Sequence, residues 1–439
     1  MRHPQRFAWP LLLGLFLAPG ANSQTYEVFD LYDDQSVRLE AVSASGGTVV
    51  GHVLGKAPGE FEPGRDPQSI RIDGSEFRLM PFFGAHDVSA DGERLLARGH
   101  GIWTDAGGLQ PVGPPPDAVT DWVDLMGISD DGRSIAGSAQ IEGGLRGFVW
   151  RDGVSTFLAA VPNRRGSEAL GLSGDGSVAF GASYVTDPLR FDAVAWSDGG
   201  FRILPVPFTM NAADSELGVV WASNRDGTVL AGQSGPLLGP HRAVRWRGEE
   251  AIEIPAPAAS DEHRAALAVS GDGVVVLARV GQRPYVWDPR NGSRYVSDIL
   301  ASHGVETPDP LLYLEAMSDD ARVLAGWNHV VTLPPDTFPT RPEHDRDLDL
   351  IADDVDNCID AFNPSQTDAD LDGFGNACDA DYDNDGLTSM SDFRILYDSW
   401  KTRRGDPYFD ASVDCDDNGR IGKLDLKFFR EHFGKRQAN

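Results

Sequence analysis

Between Glu343 and Asp385 the chain carries fourteen Asp and one Glu against a single Arg, a local charge of −14 out of a formal −29 for all 439 residues. So much like charge with so little apolar surface cannot be held by hydrophobic burial. The stretch is therefore a solvated acidic tether or a segment that folds around cations. Spacing separates the two readings. Asp345, Asp347, Asp349, Asp353 and Asp356 fall at positions 1, 3, 5, 9 and 12 of a twelve-residue loop. Asp368, Asp370, Asp372, Asn376 and Asp379 repeat those positions, with Gly373 at position 6. Calcium takes roughly six to eight oxygens, and carboxylates at alternate positions of a tight turn converge on one point. Two calcium loops are expected. Leu350 stands at position 6 of the first, where so sharp a turn favours Gly, so this loop is expected to bind least firmly.

Two more loops lie downstream. Asp381, Asp383, Asp385, Ser389 and Asp392 take positions 1, 3, 5, 9 and 12, with Gly386 at 6. Asp414, Asp416, Asn418 and Asp425 take positions 1, 3, 5 and 12, with Gly419 at 6. Apolar residues follow each loop at matching offsets, Phe393, Leu396 and Trp400 after the first and Leu426, Phe429 and Phe433 after the second. These offsets lie near one helical face, so two amphipathic helices are expected to pack together.

These residues resemble two known families. Asp356-Asn357-Cys358, Asn363-Pro364, Gln366 and the Asp368–Asp379 loop match the pattern of thrombospondin type 3 repeats, although Ile359 stands where that family usually has Pro. The resemblance implies a nearly helix-free wrap of backbone around calcium ions, with Cys358 paired to Cys378. Closing a loop of about twenty residues in this way contributes about 3 kcal/mol in the chain-entropy model. The two downstream loops, each ending in Asp and each followed by a helix, are similar to dockerin domains. That likeness implies a cohesin-like partner met by loop positions 10 and 11, here Met390, Ser391, Lys423 and Leu424. The two pairs differ, so a symmetric dual binding mode is not expected. Thr388 also stands at position 8, where Ile421 supplies the usual aliphatic residue in the other loop. The competing reading is a calcium-stabilised cap with no cohesin partner.

The compartment follows from the N-terminus. Arg2 and Arg6 precede an apolar run from Phe7 to Ala18, and Ala21-Asn22-Ser23 supplies small residues before Gln24. This reads as a secretory signal peptide over residues 1–23. A membrane span would need about twenty apolar residues, and Pro10 and Pro19 limit this run. A secreted protein, extracellular or at the cell surface, is therefore expected, with disulfides allowed. Cys415 is then left as a free thiol or an intermolecular partner. The acidity makes nucleic acid an unlikely partner, and no membrane insertion is expected.

The first three quarters of the chain repeat one motif. It reads AVSASGGTVVG at 41, DVSADGERLLA at 87, GISDDGRSIAG at 127, GLSGDGSVAFG at 171, ASNRDGTVLAG at 222, AVSGDGVVVLA at 268 and AMSDDARVLAG at 316. Forty to fifty residues separate successive starts, the period of propeller blades. Each motif reads as a hairpin, with Asp-Gly supplying the turn in five of the seven. Trp103, Trp150, Trp196, Trp246 and Trp287 keep one place in successive units, which points to packing between blades rather than to a sugar-stacking surface. The last unit lacks a fourth strand, and Tyr26–Leu31 has no unit of its own, so it is expected to complete that blade. The array also resembles the bacterial extracellular repeats known as the HAF family.

The expected architecture is mainly β. It has a seven-bladed β-propeller over 24–333, a Pro-rich linker over 334–342, an irregular calcium-wrapped segment over 343–380, and a small α EF-hand or dockerin-like module over 381–439. No HExxH, nucleophile elbow, Cys/His cluster or phosphate loop is present. Asp117, Asp121 and Asp124 beside Trp122 form an acidic loop that could pair carboxylates, and His52, His86, His100, His241, His263 and His329 could line a surface, although scattered histidines are usually just solvated. The expected function is calcium binding in cell-surface adhesion or assembly, without catalysis, with polysaccharide as a second candidate partner. The alternative is a dockerin-bearing, polysaccharide-degrading enzyme with its site at the propeller mouth.

Overall fold

The computed structural model describes residues 25–28, 36–54, 69–74, 76–82, 84–187, 189–207, 217–307 and 313–436. The expected signal peptide and residues 29–31 of the expected closing strand lie outside them. The chain divides into two compact units between Phe338 and Pro339. No helix among the described residues is long and apolar enough to cross a membrane.

The first unit is almost all β, and its strands run as antiparallel meanders of four. Meander 1 comprises Ser36–Val42, Thr48–Leu54, Ser69–Asp73 and Glu76–Met80. Meander 2 spans Ala85 to Pro111, and meander 3 spans Val123 to Phe157. Meanders 4 (Gly166 to Ile203) and 5 (Leu217 to Ile254) share one sheet, joined at the single parallel pair Phe191 and Leu217. Meander 6 spans Arg264 to Tyr295. Meander 7 has three strands of its own, Leu314–Met317, Val323–Gly326 and His329–Thr332, with Thr25–Val28 as its fourth, antiparallel to His329–Thr332.

The repeated motif builds the first turn of each meander from its own side chains. The hydroxyl of Ser89 donates to Asp91 at 2.6 Å, and the same Asp accepts the Glu93 amide at 2.9 Å. The Ser89 oxygen in turn accepts the Arg94 amide at 3.0 Å, so a fully buried hydroxyl is satisfied. Ser129, Ser173, Ser270 and Ser318 repeat the pattern with Asp131, Asp175, Asp272 and Asp320. The residue after the Asp, or after Ser45 in the first motif, is left-handed every time. Gly92 sits at φ 76°, and Ala321, which lacks that freedom, is held at 58°.

The first strand of every meander carries a β-bulge one residue before the motif. The bulged residues are Glu40, His86 and Glu315 in meanders 1, 2 and 7, and Met126, Leu170, Trp221 and Leu267 in meanders 3 to 6. All are at least partly exposed, in strands whose other residues are mostly buried. Nothing in the repeat pattern had singled this position out.

Successive first strands pack on one another, and Leu314–Met317 packs back on Ser36–Val42. Backbone bonds link the motif turns in the same order. Ala90 donates to Asp130, Asp130 to Gly174, Asp175 to Arg225, Arg225 to Gly271, Gly271 to Asp319, and Asp319 to Ala44. The Trp series lies in the core between meanders. Trp196 donates its indole N–H to Ala159 O at 3.0 Å and Trp246 to Pro205 O at 2.8 Å, each reaching into the preceding connection.

The stretch expected as an extended linker is held at both ends. Arg294 donates to Thr337 O at 3.2 Å and lies over the Phe338 ring, while Arg341 donates to Asp345 O at 2.8 Å.

The second unit is irregular up to the helix Met390–Asp398, with a second helix at Lys423–His432. The two helices pack through Phe393 and Phe429, whose rings are 5.7 Å apart, over a core of Ala380, Tyr382, Leu396, Val413, Ile421 and Phe429. Phe433, expected on that stripe, lies just past the helix end, half exposed, with its ring 5.7 Å from that of Phe429. Thr388, where an aliphatic residue was expected, is buried and exchanges backbone bonds with Gly434 and Lys435. Ile421, its counterpart, does the same with Lys401 and Thr402. Each loop is thus pinned by the segment that follows the other loop's helix.

Candidate metal centres

Four groups of carboxylates converge in the second unit. They are Asp345, Asp347 and Asp349; Asp368, Asp370 and Asp372; Asp381, Asp383 and Asp392; and Asp414, Asp416 and Asp425. Within each group one oxygen per residue lies within 4.8 Å of the others. One backbone device makes all four. The Asp at position 1 turns back and accepts amides from further round the loop. Asp345 takes Leu348 and Leu350, Asp368 takes Leu371 and Gly373, Asp381 takes Asp385 and Gly386, and Asp414 takes Asn418 and Gly419. Position 6 is left-handed each time, at φ 99° for Gly373, 89° for Gly386, 75° for Gly419 and 76° for Leu350.

The remaining expected ligands divide by loop type. In the first two loops position 9 closes the turn rather than joining the trio. Asp353 accepts the Arg346 amide at 2.9 Å, and Asn376 accepts that of Ala369 at 2.9 Å. Position 12 lies beside the trio. The charge of Asp356 bears on Asp347 and Asp349, and those of Asp370 and Asp372 bear on Asp379. In the last two loops position 12 enters the trio and also caps the helix. Asp392 accepts the amides of Asp383 and Ser389, and Asp425 those of Cys415 and Gly422. Ser389 is the N-cap of its helix, with its hydroxyl turned to the Ser391 amide, and not a member of the trio. Asp385, at position 5, also stands outside its trio and accepts the Leu387 amide at 3.0 Å, while Asn418 at the same position donates its own amide to Asp414 at 3.1 Å.

A cation fits these sites. Asp347 is 0% exposed, and its Oδ2, like those of Asp356 and Asp370, is buried with no hydrogen-bond partner. Orphaned buried carboxylate oxygens are costly unless a positive charge meets them. Burial, with neighbouring carboxylates adding to it, pushes Asp347 up to about 8, Asp379 to about 7, and Asp349 and Asp416 to about 6. A donor set made wholly of oxygen suits a hard cation, and loops supplying many oxygens suit calcium better than magnesium.

Cys358 and Cys378 are bonded, with Cα atoms 5.7 Å apart, and Cys415 is free. Gln366 explains part of the motif around them, since it accepts the Asn357 amide at 3.0 Å and donates to Asp356 at 2.8 Å. The acidic loop of the first unit does not pair its carboxylates. Asp124 is engaged by Arg98 at 2.6 and 2.9 Å, while Asp117 and Asp121 are exposed.

Leu350 decides one prediction. A left-handed Leu costs about 1–2 kcal/mol, but its side chain is only 5% exposed, and burying a Leu contributes about 1.5–3 kcal/mol. Leu350→Gly is therefore expected to lower the melting temperature of the calcium-loaded protein by a few degrees. A rise in scanning calorimetry would show that strain outweighs packing.

The thrombospondin type 3 repeat family matches residues 367–393, which span the second loop and the whole of the third. Repeats of this type bind calcium. No curated protein sequence matches the chain. Among solved structures the chain is similar to a putative TolB from Agrobacterium tumefaciens, at 16% identity over 60% of this chain and 88% of that one, with a TM-score of 0.38. It is also similar to the Dos1 propeller, at 12% identity over 70% and 94%, with a TM-score of 0.42. The β-propeller domain of the Trilobed protease from Pyrococcus furiosus is similar at 10% identity over 66% and 90%, with a TM-score of 0.42.

Proposed function

We propose that this chain is a secreted calcium-binding protein that serves adhesion or assembly at the cell surface and acts by binding rather than catalysis. In this reading the seven meanders are the blades of one closed propeller. Thr25–Val28 completes the last blade, and the packing of meander 7 on meander 1 supports the closure. The four trios are calcium sites, two in a thrombospondin type 3-like wrap and two in an EF-hand pair of dockerin type. The observation that carries the calcium reading is the set of buried, partnerless carboxylate oxygens inside loops of one geometry.

The dockerin-like face would meet a cohesin-like or other cell-surface partner. Met390 is 63% exposed, Ser391 and Lys423 are exposed, and Leu424 is half buried. The mutual pinning of the two loops through Thr388 and Ile421 supports a duplicated module. Titration calorimetry of the full chain, first stripped with chelator, tests the calcium reading. Four ions are expected, and fewer than two would sink it. Pull-down from the source's envelope with and without chelator tests the partner. Capture that persists in chelator rejects a calcium-dependent dock.

A further inference from the structure

The seven bulged residues share one register on seven neighbouring strands, so in the closed ring they line its central channel. This inference rests on that ring. One end of the channel is filled. Arg225 of meander 5 reaches Asp130 of meander 3 at 2.9 Å. Side chains on Gly174 and Gly271 would strike the carboxylates of Asp130 and Asp319 at 2.8 and 2.7 Å. The backbone bonds between motif turns tighten the same end. At the other end the side chains of Arg98 and Asp124 remain 50% and 25% exposed, so a ligand would enter from that side.

That mouth has two unlike walls. On one, Glu40 lies 3.6 Å from His52 Nδ1 and 3.7 Å from His86 Nδ1, with Arg38 at 3.3 Å. Beside it the Arg98–Asp124 pair spans meanders 2 and 3. On the other, Trp221 is 40% exposed from a strand in which Val219 and Val220 are buried, and apolar residues hold the same register on both neighbours. Meander 5 is three places from meanders 1 and 2 in a ring of seven, so Trp221 faces Glu40 and His86. A flat aromatic surface opposite a dense set of donors and acceptors suits a ring with one C–H face and a hydroxylated edge. The cations of the polar wall are paired with carboxylates, as Arg98 is with Asp124 and Arg38 with Glu315 at 3.0 Å, so the wall does not favour an anion.

We propose that this mouth binds the terminal pyranose of a neutral glycan, stacked on Trp221 and hydrogen-bonded by Glu40, His52, His86 and the Arg98–Asp124 pair. Because the far end is filled, a chain end enters and a polymer does not thread through.

The test uses the full calcium-loaded chain and calorimetric titration. The probes are neutral tetrasaccharides ending in glucose, galactose, mannose or xylose, with tetragalacturonate as the anionic comparator. At least one neutral probe is expected to bind and the anionic one not to. Trp221→Ala and Glu40→Gln should each weaken binding at least about tenfold, whereas Trp221→Phe should retain most of it. Phe201→Ala, at an exposed residue on the last strand of meander 4, should change nothing. Failure of every probe, tighter binding of tetragalacturonate, or binding that survives Trp221→Ala overturns the proposal. An oxidised Ala44→Cys, Asp319→Cys variant separates the two readings. If it cross-links while every sugar fails, the ring stands and the pocket falls. If it does not cross-link, the ring falls and the proposal with it.

Discussion

Chelating calcium from the full chain is expected to expand residues 339–439 and to leave the β unit's melting transition in place. Without cations, fourteen Asp between 343 and 385 repel across a segment with little apolar core. The core that does exist belongs to the helix pair. Each ion neutralises two charges and draws ligands from across its loop, so binding free energy appears as folding free energy. A site held at one hundred times its Kd adds about 2.7 kcal/mol, and four independent sites about 10 kcal/mol. That is the whole stability of an ordinary domain. The disulfide limits the expansion only between Cys358 and Cys378. Small-angle scattering with and without chelator reads the result. An unchanged radius of gyration would mean that the acidic unit holds itself together without metal.

The second large effect concerns the first unit. Removing residues 24–33 takes away Thr25–Val28, which pairs with His329–Thr332 over four positions. A few backbone bonds at about 1 kcal/mol each are lost, and at about 2–4 °C per kcal/mol the melting temperature should fall by roughly 5–15 °C. The bared edge of His329–Thr332 should also promote association. Calorimetry in calcium checks the first effect and light scattering the second. A variant with unaltered melting would show that this strand closes nothing.

The carboxylate spacing and the repeat period were open to reading because both are local. Alternate Asp residues around a sharp turn, and Ser-x-Asp-Gly before a strand, are fixed by the chain's own backbone over fewer than a dozen residues. The division of labour at position 12 was harder to see. Asp356 and Asp392 hold the same place in their loops, but only Asp392 lies in the first turn of a helix, where it accepts the amide of the N-cap Ser389. Asp353 and Asn376, at position 9, each accept a backbone amide across the turn, a bond that the spacing alone did not reveal. Leu350 adopts the turn expected to resist it because its side chain finds burial. The bulges were hidden altogether. Glu40, His86, Met126, Leu170, Trp221, Leu267 and Glu315 share no chemistry, so their common register emerges only when the strands are side by side. The polar and apolar walls proposed for the channel could not be read from any one repeat.

The pinning of Thr388 by Gly434 and Lys435 has a consequence for the order of events during synthesis. The third carboxylate loop is complete in sequence at residue 392, yet the backbone bonds to Thr388 come from residues made some forty positions later. The β unit is alike, since Thr25–Val28 waits for His329–Thr332. Neither unit can finish while the ribosome still holds its last segment. Contacts of such long sequence separation form slowly, so each unit stays open for an interval after most of its residues have been made.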